Sequence, residues 1–292
     1  MEKNGKTFIK GLVIGATMTV PGVSGGSMAM VLGIYDRLLK HVSEITKYPK
    51  ESLTFLLWFA AGAGSGAFLF SRGISWLLTT RAEGILCFFF LGAVSGGIPM
   101  ILKSASVSRI RGRELICILT GILTALLIAL IPQGMFAPGT ENTPMHLLFQ
   151  LAGGFIIAVA LVLPGISASQ MLYMLGIYES TLKAISSLDI LALLPLAVGG
   201  IMGTYLTARI LEQLIKKHRE ATFLMILGFM LASLPELLPG HLAQENLLFC
   251  VMALAAGFIG VYFVTLKCKR VKSPSQVVLE YSMAFKRLLH HG

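Results

Sequence analysis

Long apolar stretches alternate with short polar ones along most of the chain. Six of these stretches are long enough to cross a bilayer as a helix, which takes about 20 apolar residues. The predicted transmembrane helices lie at 53–79, 84–102, 114–132, 189–215, 221–238 and 246–266.

Two further apolar regions are interrupted in the middle by a Pro-Gly pair, at Pro21-Gly22 and at Pro164-Gly165. The arms around these pairs cover 11–20 and 23–35 in the first region, and 149–163 and 166–178 in the second. A helical arm of this length reaches about 15–22 Å into a hydrocarbon core of about 30 Å. The pattern favours a re-entrant hairpin with its tip near mid-membrane, and two short spanning helices are the alternative.

The two interrupted regions are copies of each other. Residues Val20–Ser43 align without gaps on Leu163–Ser186, and 11 of the 24 positions are identical. The similarity continues downstream at slightly shorter offsets: Gly62, Gly66, Arg72, Gly92 and Pro99 align with Gly199, Gly203, Arg209, Gly228 and Pro235. This indicates an internal duplication. We place the first repeat at 1–135 with its hairpin at 8–40, the second at 136–270 with its hairpin at 147–185, and a cytoplasmic amphipathic tail at 271–292.

Basic residues are concentrated in a few of the polar segments. Twenty of the 24 Lys and Arg residues lie at 1–10, 37–50, 103–113, 216–219 and 267–292. The positive-inside rule places these segments, and both termini, in the cytoplasm. Each half holds one returning hairpin and three spans, so the second half enters the membrane upside down. The predicted fold is an all-α polytopic membrane protein with an inverted-topology repeat, each half one re-entrant helical hairpin plus three transmembrane helices.

The composition agrees with a membrane protein. Hydrophobic residues make up 55% of the chain and charged residues 13%, against about 25% charged in soluble domains. This excludes an ordinary soluble enzyme, a disordered protein and a nucleic-acid binder. The net charge of +10 follows from the membrane topology. The four cysteines lack metal-ligand spacing, so we predict neither a metal nor a cofactor.

The two hairpin tips, VPGVSGGS and LPGISASQ, combine helix-ending prolines with small and neutral polar residues. The helix that starts at each tip offers free backbone N–H groups, which suit a phosphate or a carboxylate. The alternative is that Gly and Ser only allow close helix packing. The predicted substrate-binding residues at the tips are Pro21, Gly22, Ser24, Gly25, Gly26, Ser27, Pro164, Gly165, Ser167, Ser169 and Gln170.

Charged residues inside apolar segments are costly and therefore informative. Arg72 and Arg209 occupy equivalent positions of the two repeats, and so do Asp36 and Glu179. We predict either pairing between the repeats, Arg72 with Glu179 and Arg209 with Asp36, or contact of the arginines with an anionic headgroup. Glu212 is another candidate partner of Arg209, and snorkelling to the interface is the alternative role for both arginines. Asp36 or Glu179 could carry a coupling proton.

The paired motifs VPGVSGGSMAMVLGIY and LPGISASQMLYMLGIY in this layout resemble a bacterial membrane protein family, the PopT-type polyprenyl-phosphate transporters, formerly a family of unknown function. The resemblance covers roughly residues 5–270. It implies a flippase of the bacterial cytoplasmic membrane that returns undecaprenyl phosphate from the outer to the inner leaflet, recycling the carrier lipid of cell-wall synthesis. The implied partners are the polyprenyl-phosphate lipid and the bilayer. The coupling ion, proton or sodium, and the oligomeric state stay open.

Two other classes of function are compatible with parts of the pattern. A transporter or channel for a small soluble anion could use the same paired hairpins. An intramembrane enzyme, a phosphatase or a protease, is suggested by Gly22-Val23-Ser24-Gly25, which fits the G-x-S-G nucleophile motif. Such an enzyme needs a membrane-embedded base, and all six histidines lie in loops, segment ends or the tail. We therefore predict a transporter and not an enzyme.

Overall fold

The computed structural model describes residues 2–20, 23–78, 83–107, 110–130, 144–187, 189–238 and 247–267, and within these ranges its secondary structure is entirely helical. In chain order the helices are α1 Glu2–Thr17, α2 Gly25–Val31, α3 Tyr35–Ser43, α4 Pro49–Leu78, α5 Glu83–Ala105, α6 Gly112–Ala129, α7 Pro144–Val162, α8 Ala168–Met174, α9 Tyr178–Ser186, α10 Ile190–Lys217, α11 Arg219–Ser233, the short 3-10 helix Leu234–Leu237, and α12 Leu247–Lys267. The predicted tail at 271–292 lies outside the described residues.

Five of the predicted spans are helices long and apolar enough to cross a membrane: part of α4, then α5, α6, α10, and α11 with its 3-10 extension. The sixth predicted span is α12, whose apolar stretch Leu247–Phe263 is shorter. Large apolar side chains such as Phe68 and Leu191 are more than four-fifths exposed, as lipid-facing residues are. The chain is thus a polytopic, all-helical membrane protein.

The helices break where the Pro-Gly pairs predict. Helix α1 ends at Thr17 and α2 begins at Gly25, while α7 ends at Val162 and α8 begins at Ala168. Proline disfavours a helical conformation in the residue before it, which explains both breaks. The pair Pro21-Gly22 itself lies outside the described residues.

The arms differ in length from the prediction. Helices α1 and α7 have 16 and 19 residues, whereas α2 and α8 have only seven each. The short helices end because Gly33 and Gly176, the glycines of the two LGIY motifs, have φ values of 62° and 69°. This left-handed conformation terminates an α-helix, and it separates α3 and α9 as helices of their own.

Helix α2 and the chain before it are enclosed by protein. All residues from Gly26 to Val31 are buried, and the main apolar core of the molecule is built around them by α5 and α11. Backbone that is not helical is tolerated at membrane depth only when protein or water surrounds it. Residues Val20, Val23 and Ser24 meet this condition because all three are buried.

The longest helix contacts are α1 with α4, α7 with α10, α5 with α12, and α6 with α11. Glycines allow the first two pairs to approach backbone to backbone. A side chain at Gly62 would strike the carbonyl of Phe8, and one at Gly66 would strike that of Leu12. The contact moves four residues toward the C-terminus along both helices, from Gly62 and Phe8 to Gly66 and Leu12, so α1 and α4 are parallel. The chain between them must therefore return to the side where α1 began.

The same contacts recur in the second half at equivalent positions. Gly199 lies on the carbonyl of Leu151, as Gly62 lies on Phe8. The other two helix pairs, α5 with α12 and α6 with α11, each join one half to the other and are repeat equivalents. Gly92 of α5 lies on the carbonyl of Leu254 in α12, and its repeat equivalent Gly228 of α11 lies on the carbonyl of Ile118 in α6. The partners are related by the offsets of the sequence repeat, 143 for Phe8 and Leu151 and 136 for Ile118 and Leu254.

Candidate functional site

The two hairpin tips meet inside the molecule. A Cβ atom at Gly26 would lie 3.0 Å from Cα and 3.1 Å from N of Pro164, so the two backbones are in close contact and a side chain at position 26 would need them to move apart by a few tenths of an ångström. Pro164 is fully buried, and Gly165, at φ 86°, packs against the backbone of Phe229 and Met230. Segments 136 residues or more apart in the chain thus form one junction, here called the tip junction (residues 23–27 and 163–167).

The tip junction contains a buried hydroxyl group that has no hydrogen-bond partner among the described residues. Ser27 is 1% exposed, and its Oγ atom makes no hydrogen bond among the described residues. Ser24, also buried, precedes α2, but its side chain does not cap that helix. An unsatisfied buried polar group costs about 1–3 kcal/mol, so such a group is a candidate for ligand contact.

The remaining predicted tip residues are placed as follows. Ser167 precedes α8 and is partly buried, like Gly25 at the start of α2. Ser169 and Gln170 lie in the first turn of α8, with side chains outside the description. Because α2 and α8 have only about two turns each, their aligned peptide dipoles are few. Individual hydrogen-bonding groups therefore matter more here than the positive helix ends predicted from the sequence.

A residue that the sequence analysis did not assign joins the two halves at this junction. The buried Tyr35 hydroxyl donates a hydrogen bond of 2.8 Å to the carbonyl of Val162. Val162 is the last residue of α7, and the last carbonyls of a helix lack partners within it. Tyr35 supplies that partner across the molecule. The sequence contained one indication of this role, because Tyr35 is one of the identical positions of the repeat and aligns with Tyr178.

At the basic end of the bundle, Arg219 connects three helices. Its Nη2 lies 3.9 Å from Oδ2 of Asp36, its Nε donates to the carbonyl of Ser104 at 2.7 Å, and the guanidinium lies 5.0 Å from the ring centre of Phe223. Asp36 lies in α3, outside the five membrane-spanning helices. Burial raises the pKa of its carboxyl group, and the charge of Arg219 partly offsets that rise.

Of the two expected charge pairs, the one between Arg209 and Asp36 is not formed. Asp36 is paired with Arg219, whereas Nη1 of Arg209, which is exposed, donates to the hydroxyl of Tyr205 at 3.2 Å. Glu212 accepts a hydrogen bond of 2.5 Å from Ser43 and lies 2.7 Å from Nζ of Lys216. The hydrophobic pattern of α10 does not show which side of the helix faces the first half of the chain. The partners of Arg209 and Glu212 could therefore not be predicted from the sequence.

The other two predicted charged residues are Arg72 in α4 and Glu179 in α9, and their side chains are not among those that the structure describes. Among the described residues, no group of three or more His, Cys, Asp or Glu could hold a metal ion. The described part of the site therefore offers hydroxyl groups, backbone groups and single cations as ligands.

Comparison with known proteins gives a consistent set of matches. A family model described as undecaprenyl phosphate translocase-like (VCA0040-like) matches residues 14–249. A polyprenyl-phosphate transporter of Vibrio cholerae is 31% identical over 252 residues, which cover 80% of this chain and 77% of the relative. A polyprenyl-phosphate transporter of Staphylococcus aureus is 29% identical over 280 residues, covering 92% and 97%. No solved structure gives a significant match.

Proposed function

Because the chain belongs to the undecaprenyl phosphate translocase-like family, we propose that it transports a polyprenyl phosphate across the bacterial cytoplasmic membrane. The direction is from the outer to the cytoplasmic leaflet, which returns the carrier lipid of envelope synthesis, and both termini are cytoplasmic. Two relatives named polyprenyl-phosphate transporters support the substrate. The proposed site rests on the tip junction, where the two serine- and glycine-containing tips meet at Gly26 and Pro164. The neighbouring Ser27 hydroxyl is buried and has no hydrogen-bond partner among the described residues.

The proposal includes an inverted repeat of two re-entrant hairpins, each followed by three spans. The reciprocal glycine contacts support the repeat, because each contact in one half has its equivalent in the other. The inversion is supported by helix directions. Helices α1 and α4 are parallel, and so are α7 and α10. Arg219 at the start of α11 contacts Ser104 near the end of α5, as expected for antiparallel neighbours.

The phosphate headgroup would pass the tip junction while the prenyl chain stays in the lipid. Crossing the core requires hydrogen-bond donors that replace water around the anion. Ser24, Ser27 and Ser167 supply hydroxyl groups, and the glycines let the phosphate approach the backbone. Ser169 and Gln170 extend this polar lining in the proposal. Arg209 and its repeat equivalent Arg72 attract the headgroup from opposite sides of the membrane.

Alternating access would exchange the environments of the two hairpins. In the structure α3 packs along α10, and Tyr35, Ser43 and Asp36 fix it to the second half. Within the described part of the chain, no comparable packing of α9 on α4 is present. In the opposite state α9 would pack along α4 as α3 packs along α10 here. Asp36 and Glu179 are the proposed proton carriers for this exchange.

The proposal is tested by the leaflet accessibility of fluorescent undecaprenyl phosphate in vesicles that contain the purified protein. We expect headgroup movement above that of empty vesicles, and slower movement with Ser27→Ala. The matched control is Ser233→Ala, which removes a buried hydroxyl bonded within α11 to Met230. No movement with the wild-type protein, together with uptake of free phosphate into the same vesicles, would favour a small-anion transporter instead.

A further inference from the structure

A large apolar groove lies on the membrane-facing side of the second half. Its volume is about 870 Å³, and it runs between α7 and α10, bordered by α8 and α9 and by α3 and α4 of the first half. The volume falls in the range of binding sites for small ligands, about 300–1,000 Å³. Its walls are almost wholly apolar, so it is suited to a hydrocarbon chain rather than to the phosphate.

One end of the groove carries a cation. Along α10 the wall extends from Leu193 to Tyr205, a rise of about 18 Å for a helix. The hydroxyl of Tyr205 accepts the hydrogen bond from Arg209, so a guanidinium group stands one turn beyond the last wall residue. Along α7 the wall reaches Leu161, two residues before Leu163 in the tip junction. Because α7 and α10 are parallel and Gly203 lies beside Phe155, Leu161 lies at the same end of the groove as Tyr205. This end of the groove therefore combines the border of the tip junction with an exposed positive charge.

We propose that this groove binds the first isoprene units of the transported lipid, with the lipid phosphate at the end marked by Tyr205 and Arg209, while the rest of the prenyl chain stays in the lipid. The inference rests on the proposed function and adds a site for the chain. An arginine beside a hydroxyl group matches a phosphate, which accepts charge-assisted hydrogen bonds from a guanidinium. Because Val42, Thr46 and Leu56 of the first half line the groove, movement between the halves would change its shape and release the chain.

Charge distinguishes the prenyl phosphate from other occupants. A second copy of this chain carries the same net charge of +10, and its basic end would repel Lys216 and Lys217, which follow Arg209 on α10. A zwitterionic phospholipid would bring its own cation beside Arg209. The groove provides little hydrophobic driving force, because lipid tails are as apolar as its walls. Selectivity therefore comes from the phosphate contact and from shape, and filling the groove should have a moderate effect.

Gly200 allows a direct test. It lines the groove, and a Cβ atom there would have only the carbonyl oxygen of Gly154 within 4 Å, at 3.9 Å. Gly200→Leu would therefore fill the groove without a backbone clash. Gly260→Leu is the matched control, because Gly260 is an exposed helical glycine of α12 with open space at its Cβ and lies outside the groove.

The probe is undecaprenyl phosphate with a photoreactive diazirine on one of the isoprene units next to its phosphate, crosslinked to the full chain in phosphatidylcholine vesicles. We expect crosslinks on groove residues such as Leu161 and Ala197. Gly200→Leu should reduce them by about tenfold, as expected for an overpacked site, while Gly260→Leu leaves them unchanged. A tenfold excess of phosphatidylglycerol should not displace the probe.

Crosslinks confined to other surfaces, or unchanged by Gly200→Leu, would overturn the inference. Displacement by phosphatidylglycerol would make the groove an ordinary lipid site, and crosslinks between two copies through the groove would make it a dimer interface. Either result would also overturn it. Transport of undecaprenyl phosphate is measured in the same vesicles. Absence of wild-type transport refutes the proposed function, whereas normal transport without groove crosslinks refutes only the chain site.

Discussion

Tyr35→Phe should shift the protein away from the state described here. The substitution keeps the ring and removes only the hydroxyl that donates to the carbonyl of Val162 at 2.8 Å. In the proposed opposite state, the equivalent bond would join Tyr178 to the carbonyl of Thr19, because both positions follow from the repeat offset of 143. The two tyrosines would then stabilise opposite states.

The magnitude follows from the burial of Tyr35. Loss of the Tyr35 hydroxyl leaves the carbonyl of Val162 without this hydrogen-bond donor, which destabilises the state described here by about 1–3 kcal/mol. A change of that size in one state shifts a two-state population ratio by about 5- to 150-fold. Tyr178→Phe should shift the ratio the other way. Its ring stacking on Tyr173, with centroids 3.9 Å apart, is unaffected by the substitution.

The assay is thiol labelling of a cysteine introduced at Leu39, a buried residue of α3, which is exposed only when α3 leaves α10. Labelling is read by peptide mass spectrometry, so the native cysteines do not interfere. We expect faster labelling with Tyr35→Phe and slower labelling with Tyr178→Phe, relative to the Leu39→Cys parent. Equal rates in all three proteins, or faster labelling in both variants, would refute the opposed roles of the two tyrosines.

Three further predictions concern packing, the buried hydroxyl and coupling. Gly92→Ala should lower the midpoint of thermal unfolding by about 3–10 °C, because its methyl group would strike the carbonyl of Leu254, while Gly260→Ala in open space should not; equal midpoints would contradict the close packing. Ser27→Ala should leave that midpoint unchanged or raise it, because it removes an unsatisfied polar atom, and a clear drop would show that the hydroxyl has a partner. Asp36→Asn should abolish the response of transport to a pH gradient, because an amide cannot take up the proton that the raised pKa favours. Glu44→Gln at the end of the same helix is the control, and a response that survives Asp36→Asn would exclude Asp36 as the proton carrier.

The motifs indicated the family, and the sequence alone also determined the class of protein, five of the six predicted spans and the two helix breaks. These features follow from local rules: a bilayer demands a minimum apolar length, and proline and glycine end helices wherever they fall. The duplication was also readable, because identical residues at a constant offset need no structure to be detected. The local rules did not predict the short α2, because Gly33 at positive φ ends that helix inside the predicted arm 23–35, and α3 begins at Tyr35.

Tertiary structure decided which residues meet. Gly26 lies on Pro164, Tyr35 bonds to Val162, and Asp36 pairs with Arg219 instead of Arg209. The physical reason is that membrane helices are apolar on nearly every side, so their sequence carries only a weak signal of which face turns inward. The contacts of the tip junction depend on the rotation and register of segments far apart in the chain, and packing of the whole bundle sets both.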